Sequence, residues 1–285
     1  MEKNPKITII MPSLNVKDYI RECMESVMRQ TLEDVEILCV DAGSTDGTLE
    51  ILRECEKKDP RIRVLVSGQK SYGHQMNLGM RAARGAFIGI VETDDWTEPD
   101  MFEELYRAAV ENDADVVQAN YYRYYTKPFI HDEPFENLRG APYGKPFSPR
   151  SCVRCFSTYP SIWSGIYRRS LLEENRIEFN ETPGASYQDT SFHFMVFTAA
   201  ERVCFLDQYF LHYRKDNENS SVHSGGKVFC IRDEMHHYEE WLESRPQDKK
   251  DLAKLYMALK YEKYRWNYQR VAPTLTKSEG TRTTC

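Results

Sequence analysis

The sequence predicts an α/β protein in which helices cover a mostly parallel sheet, followed by a helical C-terminal extension. Two observations carry this prediction. Short apolar runs alternate with stretches of helical periodicity as far as about residue 125, as expected for strands joined by crossover helices. Acidic residues follow directly after two of these runs, in VEILCVD and AFIGIVETDD. Ligands of such sheets bind beyond the carboxyl ends of the strands, so these acidic residues mark a candidate site.

The first elements are two strands, each followed by a helix. KITIIMP at 6–12 is an apolar run that ends in a turn-forming Pro-Ser, which indicates a strand. In VKDYIRECMESVMRQ the apolar residues recur with the spacing of an amphipathic helix. VEILCV at 35–40 is predicted as the second strand. Ser44 or Thr45 is expected to cap the helix after it.

The same alternation continues through three more strands. IRVLV at 62–66 is the third, and GHQMNLGMRAARG after it predicts a short helix ended by Gly85. AFIGIV at 86–91 is the fourth strand. A helix with Pro99 in its first turn follows, and DVVQANYYRYY at 115–125 is the fifth strand.

The second half of the chain has weaker periodicity. Five prolines at 126–150 predict a long loop, a candidate lid or acceptor-binding segment. A short helix is expected at 151–156 and another after Asp189, with strands near VCFL and YFLHYR. Two helices are predicted to close the chain, at 227–244 and about 246–268.

Composition excludes several classes of protein. Lys plus Arg number 38 and Asp plus Glu 44, so the formal net charge is −6 and a nucleic-acid partner is not expected. No apolar run reaches the roughly 18 residues that a membrane span needs. The start, MEKNPKITII, lacks the apolar core of a secretory signal. We therefore expect a cytoplasmic location.

The acidic stretch ETDD, residues 92–95, indicates a divalent cation. The chain has no GxxxxGK[ST] loop and no GxGxxG after the first strand, so two common ways of holding phosphate are excluded. Adjacent carboxylates can hold Mg²⁺ or Mn²⁺ against phosphate oxygens. The alternative is a solvated acidic loop. In VDAGSTDGT, Asp41 can accept a hydrogen bond from a nucleobase, or the segment is simply a well-capped turn.

Three stretches together resemble one enzyme family. ITIIMPSLNVKDYI, VDAGSTDGTLEIL and GHQMNLGMRAARGAFIGIVETDDW are similar to the nucleotide-sugar domain of the family 2 glycosyltransferases. This resemblance implies a GT-A fold, which is Rossmann-like, and sugar transfer with inversion. It implies a domain at 1–225, made of a nucleotide-binding half at 6–125 and an acceptor half at 126–225. The helical extension is then 226–285.

The resemblance also implies a donor site, with Asp41 facing a base expected to be uracil. Asp94 and Asp95 match the family's DxD-type motif, so they are the expected ligands of Mn²⁺ or Mg²⁺, and Asp94 also lies near the ribose. Glu92 stands where the motif more often begins with aspartate. The residues implied to bind the nucleotide sugar are Pro12, Ser13, Asn15, Asp41, Ser44, Asp46, Asn77 and Asp94.

The catalytic base and the acceptor side follow from the same resemblance. Asp189 in YQDTSF matches the family's base, and Trp163 is expected to border the acceptor sugar. Three positions depart from the family pattern. Ala42 replaces a carboxylate near the base, which leaves the choice of nucleotide open. Gln188 is neutral before Asp189, and Gln75 stands where many members have arginine.

The predicted function is transfer of a sugar from a nucleoside-diphosphate donor, expected to be UDP-linked. The acceptor would be a saccharide or lipid-linked molecule in cell-surface polysaccharide synthesis. A non-catalytic nucleotide-sugar binding module and a sugar-nucleotide nucleotidyltransferase are the alternatives. The basic, aromatic closing helix fits peripheral contact with the inner face of a membrane, a homodimer contact, or simple packing on the domain. His212 or His223 could add a metal ligand, although a lone histidine is more often structural.

Overall fold

One sheet connects most of the protein in the computed structural model, which describes residues 4–185, 187–217 and 229–279. The strands are β1 (Ile7–Ser13), β2 (Val35–Asp41), β3 (Ile62–Val66), β4 (Phe87–Ile90), β5 (Trp96–Thr97), β6 (Val116–Tyr125), β7 (His131–Phe135), β8 (Pro146–Phe147), β9 (Gly165–Arg168) and β10 (Val203–Arg214). The α-helices are α1 (Lys17–Met28), α2 (Thr48–Lys58), α3 (Tyr72–Ala82), α4 (Met101–Glu111), α5 (Arg169–Glu174), α6 (Asp189–Ala199), α7 (Cys230–Glu243), α8 (Pro246–Asp251) and α9 (Ala253–Glu279).

The strand order of the sheet is β3-β2-β1-β4-β9-β6-β10-β5, with β7 on β6 and β8 on β10. The β3-β2-β1-β4 half is parallel, as the alternation of strands and helices predicts. The other half is mixed, because β9 lies antiparallel between β4 and β6 while β10 runs parallel to β6. The sheet therefore continues across residue 125, and the division into two halves stays a prediction.

Burial on both faces of the sheet explains the apolar strand sequences. Every residue of β1 and of β2 is buried. On α1 the predicted apolar residues Ile20, Cys23, Met24 and Val27 are buried, and Met28 is half-buried. A parallel sheet covered by helices requires such continuous apolar strands. The carboxyl ends of these strands consequently lie at one edge of a rigid core.

The segment at 126–150 differs from the predicted loop. β7 pairs with β6 as an antiparallel neighbour, and β8 pairs with the start of β10. The three central residues of β7 are exposed, and one of them is Pro134, which cannot donate a backbone hydrogen bond. Proline within a sheet is usual only in an edge strand. Further along, the two short predicted strands are one strand, β10, and the last predicted helix divides into α8 and α9 at Leu252.

The cap predicted for α2 was wrong. Neither Ser44 nor Thr45 caps this helix: Gly47 is the N-cap residue, with a φ of 104°. Glycine adopts this left-handed conformation at little steric cost. The Asp46 carboxylate instead accepts the Thr48 backbone N–H at 3.0 Å. The turn after β2 is thus closed by Asp46.

We expect Gly89→Ala to destabilise the protein by about 1–3 kcal/mol, because it overpacks the core. A Cβ on Gly89 would lie 2.5 Å from Cε1 of Phe102, a fully buried ring on α4. The measurement is the free energy of unfolding in urea. Gly68→Ala is the matched control, because a Cβ there meets nothing within 4 Å. Equal stability of the two variants would contradict this packing.

Candidate functional site

A cavity of about 370 Å³ opens at the carboxyl ends of β1 and β4. It brings together residues that lie far apart in the sequence. The predicted site residues that line it are Pro12, Ser13, Asn15, Asp94, Trp163 and Asp189. The other predicted residues, Asp41, Ser44, Asp46, Asn77 and Asp95, do not line it.

Two carboxylates of the ETDD turn face the cavity. Glu92 accepts a hydrogen bond from the Tyr72 hydroxyl at 2.6 Å, and the Asn217 amide donates to Asp94 at 2.7 Å. Burial raises the pKa of Glu92 to about 8, and the negative charge of Asp94 adds to this effect. The crowded carboxylates would be relieved by a cation.

Asp95 lies behind the cavity wall, with 1% of its surface exposed. Its Oδ1 accepts the backbone N–H of Arg214 at 2.8 Å, and its buried Oδ2 has no hydrogen-bond partner among the described residues. Burial raises the pKa of Asp95 well above its usual range, and nearby Asp94 does so further. The structure therefore separates the two predicted metal ligands: Asp94 is on the cavity and Asp95 supports the turn from inside.

The donor atoms on the cavity suit a hard divalent cation. Within the described residues no three His, Cys, Asp or Glu side chains are grouped closely enough to form a metal site by themselves. Mg²⁺, however, is usually held by one or two carboxylates together with substrate phosphates. Glu92 and Asp94 supply two such carboxylates on one wall. The residues present thus fit an ion that binds together with a diphosphate.

The loop after β1 is held by the turn after β2. Asn15 has a φ of 53°, and its backbone N–H donates to the Ser44 hydroxyl oxygen at 2.9 Å. The Thr45 backbone N–H donates to the Asn15 side-chain oxygen at 2.9 Å. The Ser44 hydroxyl in turn donates to Asp41 at 2.6 Å, and the Gly43 N–H does so at 2.9 Å. Asp41 and Ser44 thereby shape the loop that presents Asn15 to the cavity.

Asn77 joins α3 to the segment before the candidate base. Its amide donates to the backbone oxygen of Phe179 at 2.9 Å and to Glu181 at 3.0 Å, and its oxygen accepts the Phe179 N–H at 2.8 Å. These bonds leave the side chain inside the fold. On the same helix, Gln75 does line the cavity, and its amide donates to the backbone oxygens of Ser13 and Val40.

Asp189 is the first residue of α6, and its half-buried carboxylate lines the cavity. Burial raises its pKa to about 6, and the charge of Lys263 acts in the opposite direction. The neutral side chain of Gln188 donates to the Thr182 hydroxyl at 2.9 Å. Gln188 thereby closes the loop that leads into α6, a structural use of the position next to the candidate base.

Trp163 forms part of an aromatic wall. Trp163 is 5% exposed, and its ring stacks on that of Tyr213 with centroids 5.2 Å apart. Tyr121 meets it edge-on at 4.6 Å. Tyr159 and Tyr187 extend the same side of the cavity. Aromatic faces of this kind commonly contact sugar rings, through apolar C–H surface.

His212 lies outside the cavity in a network of its own. Its two ring nitrogens are 3.0 Å from Asp132 and 2.9 Å from Glu98, and the ring stacks between Trp96 and Tyr122. These contacts join β5, β6, β7 and β10, and they make His212 a structural residue. His223, the other predicted candidate, lies outside the described residues.

Several cavity residues were missed by sequence reasoning. Lys70, Tyr72, Tyr187 and Asn217 all line the cavity. Asn217 lies in YRKDNENSSVHS, a stretch that carries a weak resemblance to the family, and this was the only available signal. Lys70 has no pattern around it that distinguishes it from a surface residue, whereas Tyr187 belongs to YQDTSF, the stretch that carries the candidate base.

The strand order and the cavity at the carboxyl ends of the strands are those expected of a GT-A protein, and comparison with known families agrees. The model described as "Glycosyl transferase family 2" matches residues 8–176, and the chain belongs to that family. The chain is 34% identical over 229 residues to the uncharacterized glycosyltransferase EpsJ of Bacillus subtilis, covering 76% of this chain and 62% of EpsJ. It is 30% identical over 225 residues to glycosyltransferase GlyA of Streptococcus pneumoniae, covering 73% and 30%. The chain thus spans less than two thirds of the length of these relatives.

Solved structures confirm the predicted fold. S. aureus TarS 1-349 in complex with UDP-GlcNAc superposes with a TM-score of 0.69 at 20% identity, covering 96% of this chain and 92% of that one. The mannosyltransferase PcManGT from Pyrobaculum calidifontis, in complex with GDP-Man and Mn²⁺, gives 0.59 at 16% identity, covering 99% and 77%. Helices long and apolar enough to cross a membrane are absent from the described part of the chain.

Proposed function

We propose that this protein transfers a sugar, with inversion, from a UDP-linked donor to a saccharide or lipid-linked acceptor in cell-surface polysaccharide synthesis. One observation carries the proposal: Asp94 and Asp189, which are far apart in the sequence, line a single cavity. The bound UDP-GlcNAc of TarS supports the donor class. The 39% identity over 103 residues to the chondroitin synthase of Escherichia coli, 36% of this chain and 15% of that one, supports a polysaccharide product.

The donor would lie along the carboxyl edge of β1 and β4. Asn15 and Pro12, which line the cavity, would contact the base and ribose, and Glu92 and Asp94 would face the diphosphate. Glu92 and Asp94 would hold a Mn²⁺ or Mg²⁺ ion, which when bound supplies positive charge to the leaving diphosphate. Tyr72 orients Glu92 by its hydrogen bond, and Asn217 orients Asp94.

Asp189 would act as the base. It would accept the proton of the acceptor hydroxyl as that oxygen attacks the anomeric carbon, while the bond from this carbon to the diphosphate oxygen breaks. A single displacement of this kind inverts the anomeric centre. With its pKa raised to about 6, Asp189 is still mostly ionised at neutral pH and is a stronger base than an ordinary aspartate. Trp163, Tyr159 and Tyr187 would border the acceptor.

The donor class can be tested by thermal unfolding with nucleotides. We expect UDP with Mn²⁺, at a concentration 100 times its Kd, to stabilise the protein by about 2.7 kcal/mol relative to the ligand-free protein, and GDP, dTDP and CDP at the same concentration to stabilise it less. Hydrolysis of UDP-GlcNAc, with water replacing the acceptor, then separates an enzyme from a non-catalytic binding module. A protein that none of the four nucleotides stabilises would refute the proposal.

A further inference from the structure

Helix α9 contacts the segment that carries the candidate base. The ring of Trp266 meets Tyr187 edge-on, with centroids 5.4 Å apart and an interplanar angle of 81°. The guanidinium of Arg270 lies 5.3 Å from the centroid of Tyr187 and 5.7 Å from that of Trp266. Tyr187 lines the cavity and stands directly before Gln188 and Asp189. The C-terminal helix is therefore within one side chain of the site.

The backbone of Tyr187 needs such support. Its φ is 65°, a left-handed conformation that costs a non-glycine residue about 1–2 kcal/mol. A residue keeps this conformation only where its surroundings enforce it. Tyr187 also packs against the hydrophobic core, and Trp266 and Arg270 add contacts to its ring from the side of α9.

Lys263 extends the same face of α9 towards α6. It precedes Trp266 by three residues and Arg270 by seven, and residues with these spacings share one helix face. Its ammonium lies 5.7 Å from the ring centroid of Phe194, on the helix that Asp189 begins. Burial lowers the pKa of this half-buried lysine, and the negative charge of Asp189 counteracts that effect.

Buried acidic groups and a lysine lie around Asp189. The negative charge of Asp189 acts to raise the pKa of each of them: Glu92, Glu234, Tyr72, Tyr159, Tyr167, Tyr187 and Lys263. Glu234 on α7 accepts hydrogen bonds from Ser191 and, at 3.1 Å, from Asn180, and burial raises its pKa to about 8. Because Glu92 and Glu234 keep their protons up to a pKa of about 8, they are mostly uncharged where Asp189 titrates, and Lys263 is the charge that favours its ionisation.

We propose that α9 is a working part of the site, in which Lys263 offsets the charge of Asp189 while Trp266 and Arg270 hold Tyr187 against the cavity. These are positioning residues, since none of them lines the cavity. The role of Asp189 as a base rests on the proposed function, whereas its surroundings on α9 are independent of that function.

The first test measures the titration of Asp189 by ¹³C NMR of its carboxyl carbon, with Asp189→Asn to assign the signal. We expect Lys263→Met to raise the titration midpoint by about one pH unit, because a nearby cation favours the ionised form. Lys263→Arg keeps the charge and should restore the midpoint of the parent. An unchanged midpoint in Lys263→Met would overturn the role of Lys263.

The second test measures backbone hydrogen exchange at 187–191. We expect Trp266→Ala to accelerate exchange there by at least about tenfold, because local opening becomes easier without the contact. Tyr268→Ala on the same helix is the control, since that side chain is 67% exposed. Equal exchange in the two variants would overturn the role of Trp266.

Neither readout requires turnover, so the two proposals fail in different ways. A parent protein that neither binds UDP nor hydrolyses UDP-GlcNAc would remove the proposed function and leave the shifted midpoint intact. A catalytically active protein whose Lys263→Met variant titrates like the parent would remove the present inference and leave the proposed function intact.

Discussion

Asp189→Asn is expected to reduce sugar transfer by about 10²–10⁴-fold, the usual contribution of general base catalysis. The amide keeps the shape of the carboxylate and cannot accept the proton of the acceptor. UDP binding should stay close to that of the parent, because the acidic wall at Asp94 is a separate part of the cavity. The measurement is the rate of UDP release from UDP-GlcNAc, together with the Kd for UDP.

The pH dependence of the parent gives the same prediction independently. Asp189 acts as a base only when ionised, and burial raises its pKa to about 6. The rate should therefore fall as the pH decreases through about 6, and this acidic limb should be missing from any residual rate of Asp189→Asn. Asp100→Asn, at an exposed position before α4, is the control. Parental turnover by Asp189→Asn would place the base elsewhere.

Asp94→Asn is expected to weaken Mn²⁺-dependent binding of UDP by at least about tenfold, since it removes one of the two carboxylates that would share the ion with the diphosphate. The substituted amide has nearly the same shape, so the contact with Asn217 need not be lost. Binding is measured by calorimetry with Mn²⁺ and with EDTA. The difference between Asp94→Asn and the parent should disappear in EDTA.

Asp207→Asn, an exposed change on β10, controls for a general effect of removing negative charge. If Asp94→Asn binds UDP as tightly as the parent when Mn²⁺ is present, Asp94 is not a ligand of the ion. A loss of the same size in EDTA would assign Asp94 to a direct contact with the nucleotide.

The first half of the fold was predictable because its signals are local. Apolar runs such as VEILCV lie in a doubly covered sheet, and α1 has its apolar residues on one face. β9 was not predicted as a strand between β4 and β6, because its four residues acquire their pairing from chain far away in sequence. β7 was missed since its centre is polar and exposed and contains Pro134.

The site divides along the same line. Asn15 and Asp94 follow strands that end at one edge of the sheet, so their meeting could be foreseen from strand order. Asp41 and Asn77 lie at matching motif positions, but their side chains accept hydrogen bonds from nearby backbone N–H groups. The sequence does not show that these side chains are engaged in this way. The charge of Lys263 acts on Asp189 because α9 packs beside α6, and the sequence periodicity of α9 does not predict that packing.

The late insertion of β9 affects how the protein is made. When translation has passed the end of β6 at residue 125, the open edges of β4 and β6 have no strand between them until residues 165–168 are synthesised. That interval, 165 − 125 = 40 residues, lasts roughly 2–8 s at ordinary ribosome speeds. Unpaired strand edges invite aggregation, so the nascent chain exposes two edges of this kind during the window. A gene split within that stretch would yield two fragments that complete their sheet only by associating.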